Sequence, residues 1–145
     1  PHAAVGRCGT QQSMDSYFIF YVSDQEQSSS FYTRALALEA RLHVPGMTEF
    51  GLPAGGVLGL MPEEGIASLL GPKLPNPRLA RGIPRAELYL MVPSPGEYHA
   101  RAIAAGAVEV SPLLPRTWGH NVAYSLDPDG HVLAFACPSR TDGVA

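Results

Sequence analysis

The chain has 145 residues, of which 46% are hydrophobic and 16% charged, and its formal net charge is −3. This length and composition indicate one folded domain with its own core and exclude a disordered chain. The mild negative charge offers no basic surface to a nucleic acid, and no apolar stretch approaches the roughly 20 residues of a membrane span. We therefore expect no nucleic-acid partner and no membrane partner.

The two cysteines, Cys8 and Cys137, lie far apart and in no metal-binding spacing. They are too few for a disulfide framework, so reduced thiols and a cytoplasmic location are expected. Residues 1–15 lack the charged start and long apolar run of a signal peptide. We expect a leader or disordered N-terminal segment there, with Met14 as a candidate natural start. A single domain then covers residues 16–145 and ends in a short C-terminal tail.

The first half of this domain, residues 16–62, opens with a strand. Residues 17–22 are aromatic or β-branched throughout, which is typical of a strand. Asp24 is placed to cap a helix that carries Phe31, Ala35 and Leu38 on its apolar face. Three short strands are predicted near 39–44, 47–52 and 56–61. The order of elements in this half is β-α-β-β-β.

The second half, residues 85–138, follows the same plan. A strand is predicted at 87–92, and a helix begins at Ser94, with Pro95 at its first position and Glu97 closing a capping box. Gly106 is the expected left-handed stop. Strands follow near 107–113, 120–126 and 131–137. The Asp127-Pro128-Asp129-Gly130 segment between the last two is interpreted as a turn without chemistry of its own.

Three sequence blocks recur in the same order, about half the chain apart. The pairs are 18–22 with 88–92, 34–37 with 101–104, and 56–60 with 131–135. Such a duplication predicts two similar modules with a ligand site in the seam between them. The proline-rich connection at 63–84 is either a flap over that site or only the linker that lets the modules pair.

Several short motifs follow one another in a defined order between residues 17 and 137. They are Tyr21-Val22-Ser23-Asp24 followed by Ser30 to Leu36, then Ala104 to Ala107, Trp118-Gly119-His120, and Asp127 to His131. Their order resembles the vicinal-oxygen-chelate superfamily, which includes glyoxalase I, extradiol dioxygenases, fosfomycin-resistance enzymes and bleomycin-resistance binding proteins. The resemblance implies an α+β fold of two β-α-β-β-β modules. They would form a half-open curved sheet around a cavity, with helices on the convex side, in a homodimer.

The resemblance also indicates where a divalent metal would be held. The four ligand positions fall on Tyr17, Gly59, Glu87 and Ala134. Only Glu87 is a good ligand, whereas a functional site needs about three protein ligands. We therefore expect no metal or other cofactor, with a divalent metal as the alternative. A site rebuilt from His120 and Glu87 is a weaker alternative.

Alternation along the strands assigns one set of side chains to the helix side: Phe18, Phe20, Val22, Leu58, Leu60, Leu88, Leu90, Val92, Leu133, Phe135 and Cys137. Five predicted ligand-binding residues lie on the opposite face: Tyr17, Tyr21, Glu87, Tyr89 and Met91. Trp118, in the loop before a strand, and His120, at the start of that strand, complete the predicted set at the mouth or rim of the cavity. The tyrosines offer stacking surfaces or a cation cradle, and Glu87 offers a charge or a candidate general base. Ordinary packing within a sheet explains the tyrosines equally simply. Glu87 could equally be a structural residue that bonds with Arg81, Arg85 or a backbone amide. His99 and His131 are expected to face solvent.

The favoured function is binding of a small organic molecule in an aromatic-lined cavity without a metal, as in sequestration or antibiotic resistance. One alternative is a metal-dependent glyoxalase-type lyase or dioxygenase. Another is a metal-free isomerase or lyase with Glu87 as general base and Tyr17 as its partner. The identity of the ligand stays open at this point. So does the question whether modules pair within or between chains.

Overall fold

Two separate four-stranded sheets, one from each half of the chain, organise the fold. The computed structural model describes residues 9, 15–53 and 55–140. The first half contains β1 (Tyr17–Val22), α1 (Gln25–Leu36), β2 (Leu42–Val44), β3 (Met47–Gly51) and β4 (Val57–Pro62). The second contains β5 (Glu87–Met91), α3 (Pro95–Ala104), β6 (Val108–Pro115), β7 (His120–Leu126) and β8 (Val132–Pro138). The expected α+β class with two β-α-β-β-β modules is confirmed.

The two sheets have equivalent topologies. Their strand orders are β1-β4-β3-β2 and β5-β8-β7-β6. In each sheet the first and last strands of the module pair in parallel, and the remaining pairs are antiparallel. Because β1 and β5 border their sheets, each module leaves its first strand at an edge. The predicted leader at 1–15 lies outside the described residues, except for residues 9 and 15.

The two helix starts use their capping residues differently. Asp24 Oδ1 accepts a hydrogen bond from the backbone N–H of Gln27 at 2.9 Å, as predicted. Ser94 makes no such bond; its hydroxyl donates to Glu97 Oε2 at 3.1 Å instead. Helix α1 ends at Leu36, before the predicted Leu38, because Ala37 adopts a left-handed conformation with φ of 53°. Gly106, at φ of 115°, follows the end of α3 as expected.

One hydrophobic core lies between the helices and both sheets. Several of the strand residues that the alternation assigned to the helix side are buried there, namely Val22, Leu58, Leu60, Leu88, Leu133 and Phe135. Phe20, Leu90 and Val92 are partly buried against them. Phe18 was assigned to the same side but is 63% exposed, because it lies at the start of an edge strand. His99, expected to face solvent, is buried and its Nε2 lies 2.8 Å from Glu109 Oε2.

The two halves join through their helices and through the turn before β8. Helix α1 packs against α3. Tyr32, on α1, donates from its hydroxyl to Asp127 Oδ2 at 2.6 Å, and the backbone N–H of Ser23 donates to Asp129 Oδ1 at 2.9 Å. The ring of His131 stacks on Phe20 with centroids 4.3 Å apart. His131 is therefore an interface side chain between the halves and not the free surface histidine expected.

The connection at 63–84 contains regular structure that the sequence analysis did not assign. Helix α2 (Glu63–Leu70) packs against β1 and β4, and two short 3-10 turns follow at Gly71–Lys73 and Pro77–Ala80. The N-cap residue of α2 is Pro62, which provides no side-chain hydrogen bond, so the sequence carries no Ser, Thr, Asp or Asn cap to mark the start of this helix. No helix within the described ranges is long and apolar enough to cross a membrane.

Candidate functional site

Five of the seven predicted ligand-binding residues lie on or beside the second sheet. Glu87, Tyr89 and Met91 alternate along β5, His120 begins β7, and Trp118 lies in the loop just before it. Register pairs Tyr89 with Ala134 and Ala134 with Tyr124, so these three side chains share the face away from the helices. We call this surface, with Glu87, Trp118 and His120, the second-sheet face.

Three of these side chains form a hydrogen-bonded aromatic wall. The Tyr89 hydroxyl lies 2.5 Å from His120 Nδ1 and accepts a hydrogen bond from Trp118 Nε1 at 3.1 Å. The Tyr89 and His120 rings are 5.8 Å apart between centroids. Trp118 remains 54% exposed, so its ring is available to a molecule that lies against the wall. The structure therefore brings three of the predicted residues, Tyr89, Trp118 and His120, together on one surface.

Tyr124 belongs to the second-sheet face but was absent from the predicted set. Burial raises the pKa of its phenol, and the neighbouring Glu87 carboxylate raises it further. The Arg116 guanidinium lies 5.2 Å from the centre of the Tyr124 ring and donates to the carbonyl of Val122 at 2.9 Å. Alternation from His120 along β7 was the available signal for Tyr124. These contacts hold the Arg116 side chain against β7.

Tyr17 and Tyr21, the remaining two predicted residues, lie on the first sheet. Arg41 donates to the Tyr17 hydroxyl at 2.6 Å and to Glu49 Oε1 at 3.0 Å. Tyr21 lines a cavity between β1 and the connection. The two tyrosines are 47% and 38% exposed. Within one chain, the predicted set is therefore divided between two separate sheets.

The positions that the resemblance assigns to a metal do not provide a coordination set. A Cβ on Gly59 would lie 3.0 Å from Ile19 Cγ1 and 3.3 Å from the sulfur of Met47, so side chains already occupy that space. Ala134 is fully buried between Tyr89 and Tyr124. The Tyr17 hydroxyl accepts a hydrogen bond from Arg41. Glu87 is the one carboxylate among the four positions. These donors do not fit the three or four ligands that such a metal requires.

A second group of potential ligands, Asp127, Asp129 and His131, lies within 4.8 Å of one another. Asp127 Oδ1 accepts from the backbone N–H groups of Asp129 and His131 at 2.9 and 2.8 Å. His131 Nε2 lies 3.0 Å from the carbonyl oxygen of Tyr21. These atoms hold the turn together and attach it to the first module.

Comparison with solved structures supports the architecture. A glyoxalase-related enzyme from Fulvimarina pelagi is 22% identical, with a TM-score of 0.72 over 92% of this chain and 96% of that chain. A glyoxalase/bleomycin resistance protein/dioxygenase from Nocardioides is 20% identical, with a TM-score of 0.69 over 94% and 92%. A glyoxalase/bleomycin resistance protein/dioxygenase family enzyme from Burkholderia phytofirmans PsJN is 18% identical, with a TM-score of 0.64 over 86% and 99%. At these identities the likeness establishes a shared fold.

The sequence itself establishes the family. No curated protein matches the chain at a significant level. The family model described as Glyoxalase/Bleomycin resistance protein/Dioxygenase superfamily matches residues 15–135, which include all eight strands except the last residues of β8. The chain therefore belongs to the glyoxalase/bleomycin resistance protein/dioxygenase superfamily.

Proposed function

We propose that this protein binds a small planar organic molecule on the second-sheet face without a metal, and acts by sequestration. The observation that carries the proposal is the wall of Tyr89, His120 and Trp118 beside Ala134. Aromatic rings held in fixed positions by hydrogen bonds present a preformed stacking surface, so little side-chain entropy is lost on binding. Superfamily membership supports a ligand site on a sheet, and the unfavourable donor set supports a metal-free site.

The charge on this surface favours a cationic ligand. Glu87 is exposed at the start of β5, and its carboxylate acts electrostatically on Tyr124. Arg116, the nearby guanidinium, already donates to Ser111 Oγ at 2.6 Å and to the carbonyl of Val122. A planar cation would stack on the aromatic wall and place its positive charge near Glu87.

We further propose that the active species is a homodimer. β1 and β5 are edge strands, and apolar side chains along them remain exposed: Phe18 at 63%, Ile19 at 41% and Met91 at 48%. Exposed apolar edges are expected to be covered in solution by another strand. A second copy that sets its β5 against β1 would bring Tyr17 and Tyr21 opposite the second-sheet face and complete the cavity.

The test is a calorimetric titration with proflavine, a planar cation, and with acridone, its uncharged counterpart, in buffer containing EDTA. We expect both to bind, and we expect Glu87→Gln to weaken proflavine about threefold while leaving acridone unchanged, because the loss is one exposed charge interaction. Glu97→Gln, a change at an exposed carboxylate on α3, is the matched control.

Two results would contradict metal-free sequestration and favour one of the alternative functions. Stoichiometric metal in the purified protein, with binding lost in EDTA, would favour the metal-dependent lyase or dioxygenase. Turnover of a bound compound, abolished by Glu87→Gln while binding persists, would favour an isomerase or lyase with Glu87 as general base.

A further inference from the structure

A cavity of about 590 Å³ lies between the end of β1, the connection and the turn before β8. It is separate from the second-sheet face and falls within the roughly 300–1,000 Å³ of small-molecule pockets. Apolar side chains from two elements form much of its wall: Ile19, Leu74, Pro75, Pro77, Ala80 and Ile83. Such a wall would accept the apolar body of an organic molecule.

One buried polar atom in this wall lacks a partner. Glu63 lines the cavity, is 4% exposed and begins helix α2. Its Oε1 accepts a hydrogen bond from Nε of Arg81 at 2.9 Å, and Nη2 of the same guanidinium lies 2.9 Å away in an ion pair. Its Oε2 has no hydrogen-bond partner among the described residues. A buried carboxylate oxygen without a donor is costly, so a ligand that supplies the donor gains affinity at this point.

The charges around the cavity balance one another. The lining carboxylates are Glu63 and Asp129, and the lining guanidinium groups are Arg81 and Arg85. Asp129 Oδ1 is already bonded to the backbone N–H of Ser23, and Arg81 is paired with Glu63. His131, which also lines the cavity, is stacked on Phe20. Because the lining charges cancel, the cavity favours an uncharged molecule over an ion.

We propose that this cavity binds an uncharged, largely apolar organic molecule whose hydroxyl or N–H group donates a hydrogen bond to Glu63 Oε2. The connection is then one wall of a second binding site and more than a linker between modules. This site does not depend on the function proposed for the second-sheet face, because no residue of that face lines the cavity.

The first experiment compares 1-naphthol with 1-methoxynaphthalene by calorimetry, since the two differ in the hydroxyl donor. In the wild type we expect 1-naphthol to bind about tenfold more tightly, a typical effect of one hydrogen bond to a charged group. In Glu63→Gln the amide oxygen retains Arg81 and the amide N–H₂ faces the cavity. That group donates to either ligand oxygen, so the tenfold preference should disappear. Glu64→Gln, at the exposed neighbour in the same helical turn, should keep it.

The second experiment fills the cavity from its rim. Ala80 is exposed and lines the cavity, whereas Leu79 beside it is 81% exposed and lies outside the lining. Ala80→Trp should abolish binding of 1-naphthol, and Leu79→Trp should leave it unchanged; thermal unfolding confirms that each variant is folded. The proposal is overturned if the wild type shows no preference for 1-naphthol, if Glu63→Gln retains it, or if Ala80→Trp binds as the wild type does.

Discussion

Asp127 is the residue on which contacts from both halves of the chain converge. It is 4% exposed, and its carboxylate accepts from the Tyr32 hydroxyl and from the backbone of its own turn. Burial raises the pKa of Asp127 above its usual 3.8, although its hydrogen bonds act in the opposite direction. The buried phenol of Tyr32 likewise has a pKa well above its usual value, because of burial and the adjacent carboxylate.

The raised pKa of Asp127 predicts a particular dependence of stability on pH. Since the folded-state pKa exceeds the unfolded one, this group contributes stability that is fully present at low pH and lost as pH rises through the folded pKa. Asp127→Asn removes the titration while keeping an oxygen for the turn. We expect the free energy of unfolding of the wild type, relative to Asp127→Asn, to decrease as the pH rises above the usual carboxyl pKa of 3.8 towards neutrality.

Urea unfolding of both proteins across this range provides the measurement. Glu64→Gln, at an exposed carboxylate, is the control and should show no comparable trend relative to the wild type. If the free energy of unfolding of the wild type instead increases with pH relative to that of Asp127→Asn, burial is not the dominant cause of the pKa shift.

At the scale of single elements, the two helices differ in how their first turns are stabilised. The sequence around Ser94 is the fuller capping signature, yet the Ser94 hydroxyl bonds with Glu97 and caps no backbone N–H group. Asp24, with the weaker signature, caps Gln27. A capping motif provides the side-chain acceptors, whereas the local backbone conformation determines which N–H group each acceptor can reach.

This difference predicts an order of stability losses. Asp24→Ala should lower the free energy of unfolding by about 1 kcal/mol, because it removes an N-cap bond and a negative charge at the start of a helix. Ser94→Ala should lower the free energy of unfolding by less than half of that amount, because Ser94 caps no backbone N–H group. Thermal or urea unfolding of the two variants at neutral pH is sufficient to rank them. Equal losses, or a larger loss for Ser94→Ala, would show that the serine caps α3 in solution.

At the scale of the whole molecule, apolar side chains stay exposed along the edge strands β1 and β5. Each sheet buries its helix side in the shared core, while Tyr17, Tyr21 and Met91 on the opposite faces stay exposed. An assembly in which β1 and β5 of two copies approach would let the predicted ligand residues of the two sheets face one another. This is the structural reason for proposing a homodimer.

The dimer proposal is tested by sedimentation of the wild type and Phe18→Lys. We expect a wild-type dimer at micromolar concentration, and a largely monomeric Phe18→Lys protein, because the charge lies on the exposed edge of β1. Leu79→Lys, at a residue 81% exposed on the connection, should remain dimeric. A wild type that sediments as a monomer would remove the assembly from the proposed function.

The sequence by itself determined the architecture. Local patterns suffice for this, since alternation assigned Leu58, Leu88 and Phe135 to the core and the repeat gave both modules their order of elements. The family followed from motifs spaced between residues 17 and 137, and the family model matches residues 15–135. Alternation also gave Tyr89, and the boundary between a loop and a strand gave Trp118 and His120; the structure joins these three side chains by hydrogen bonds.

Only the tertiary structure decided which distant groups meet. The pairing of Glu63 with Arg81, the burial of His99 and the contacts of Asp127 with Tyr32 depend on how α1, α2 and the turn before β8 pack. It also placed Tyr17 and Glu87 on separate sheets of one chain. Alternation and capping specify the face on which a side chain lies, but the partner across that face depends on long-range packing that no local pattern encodes.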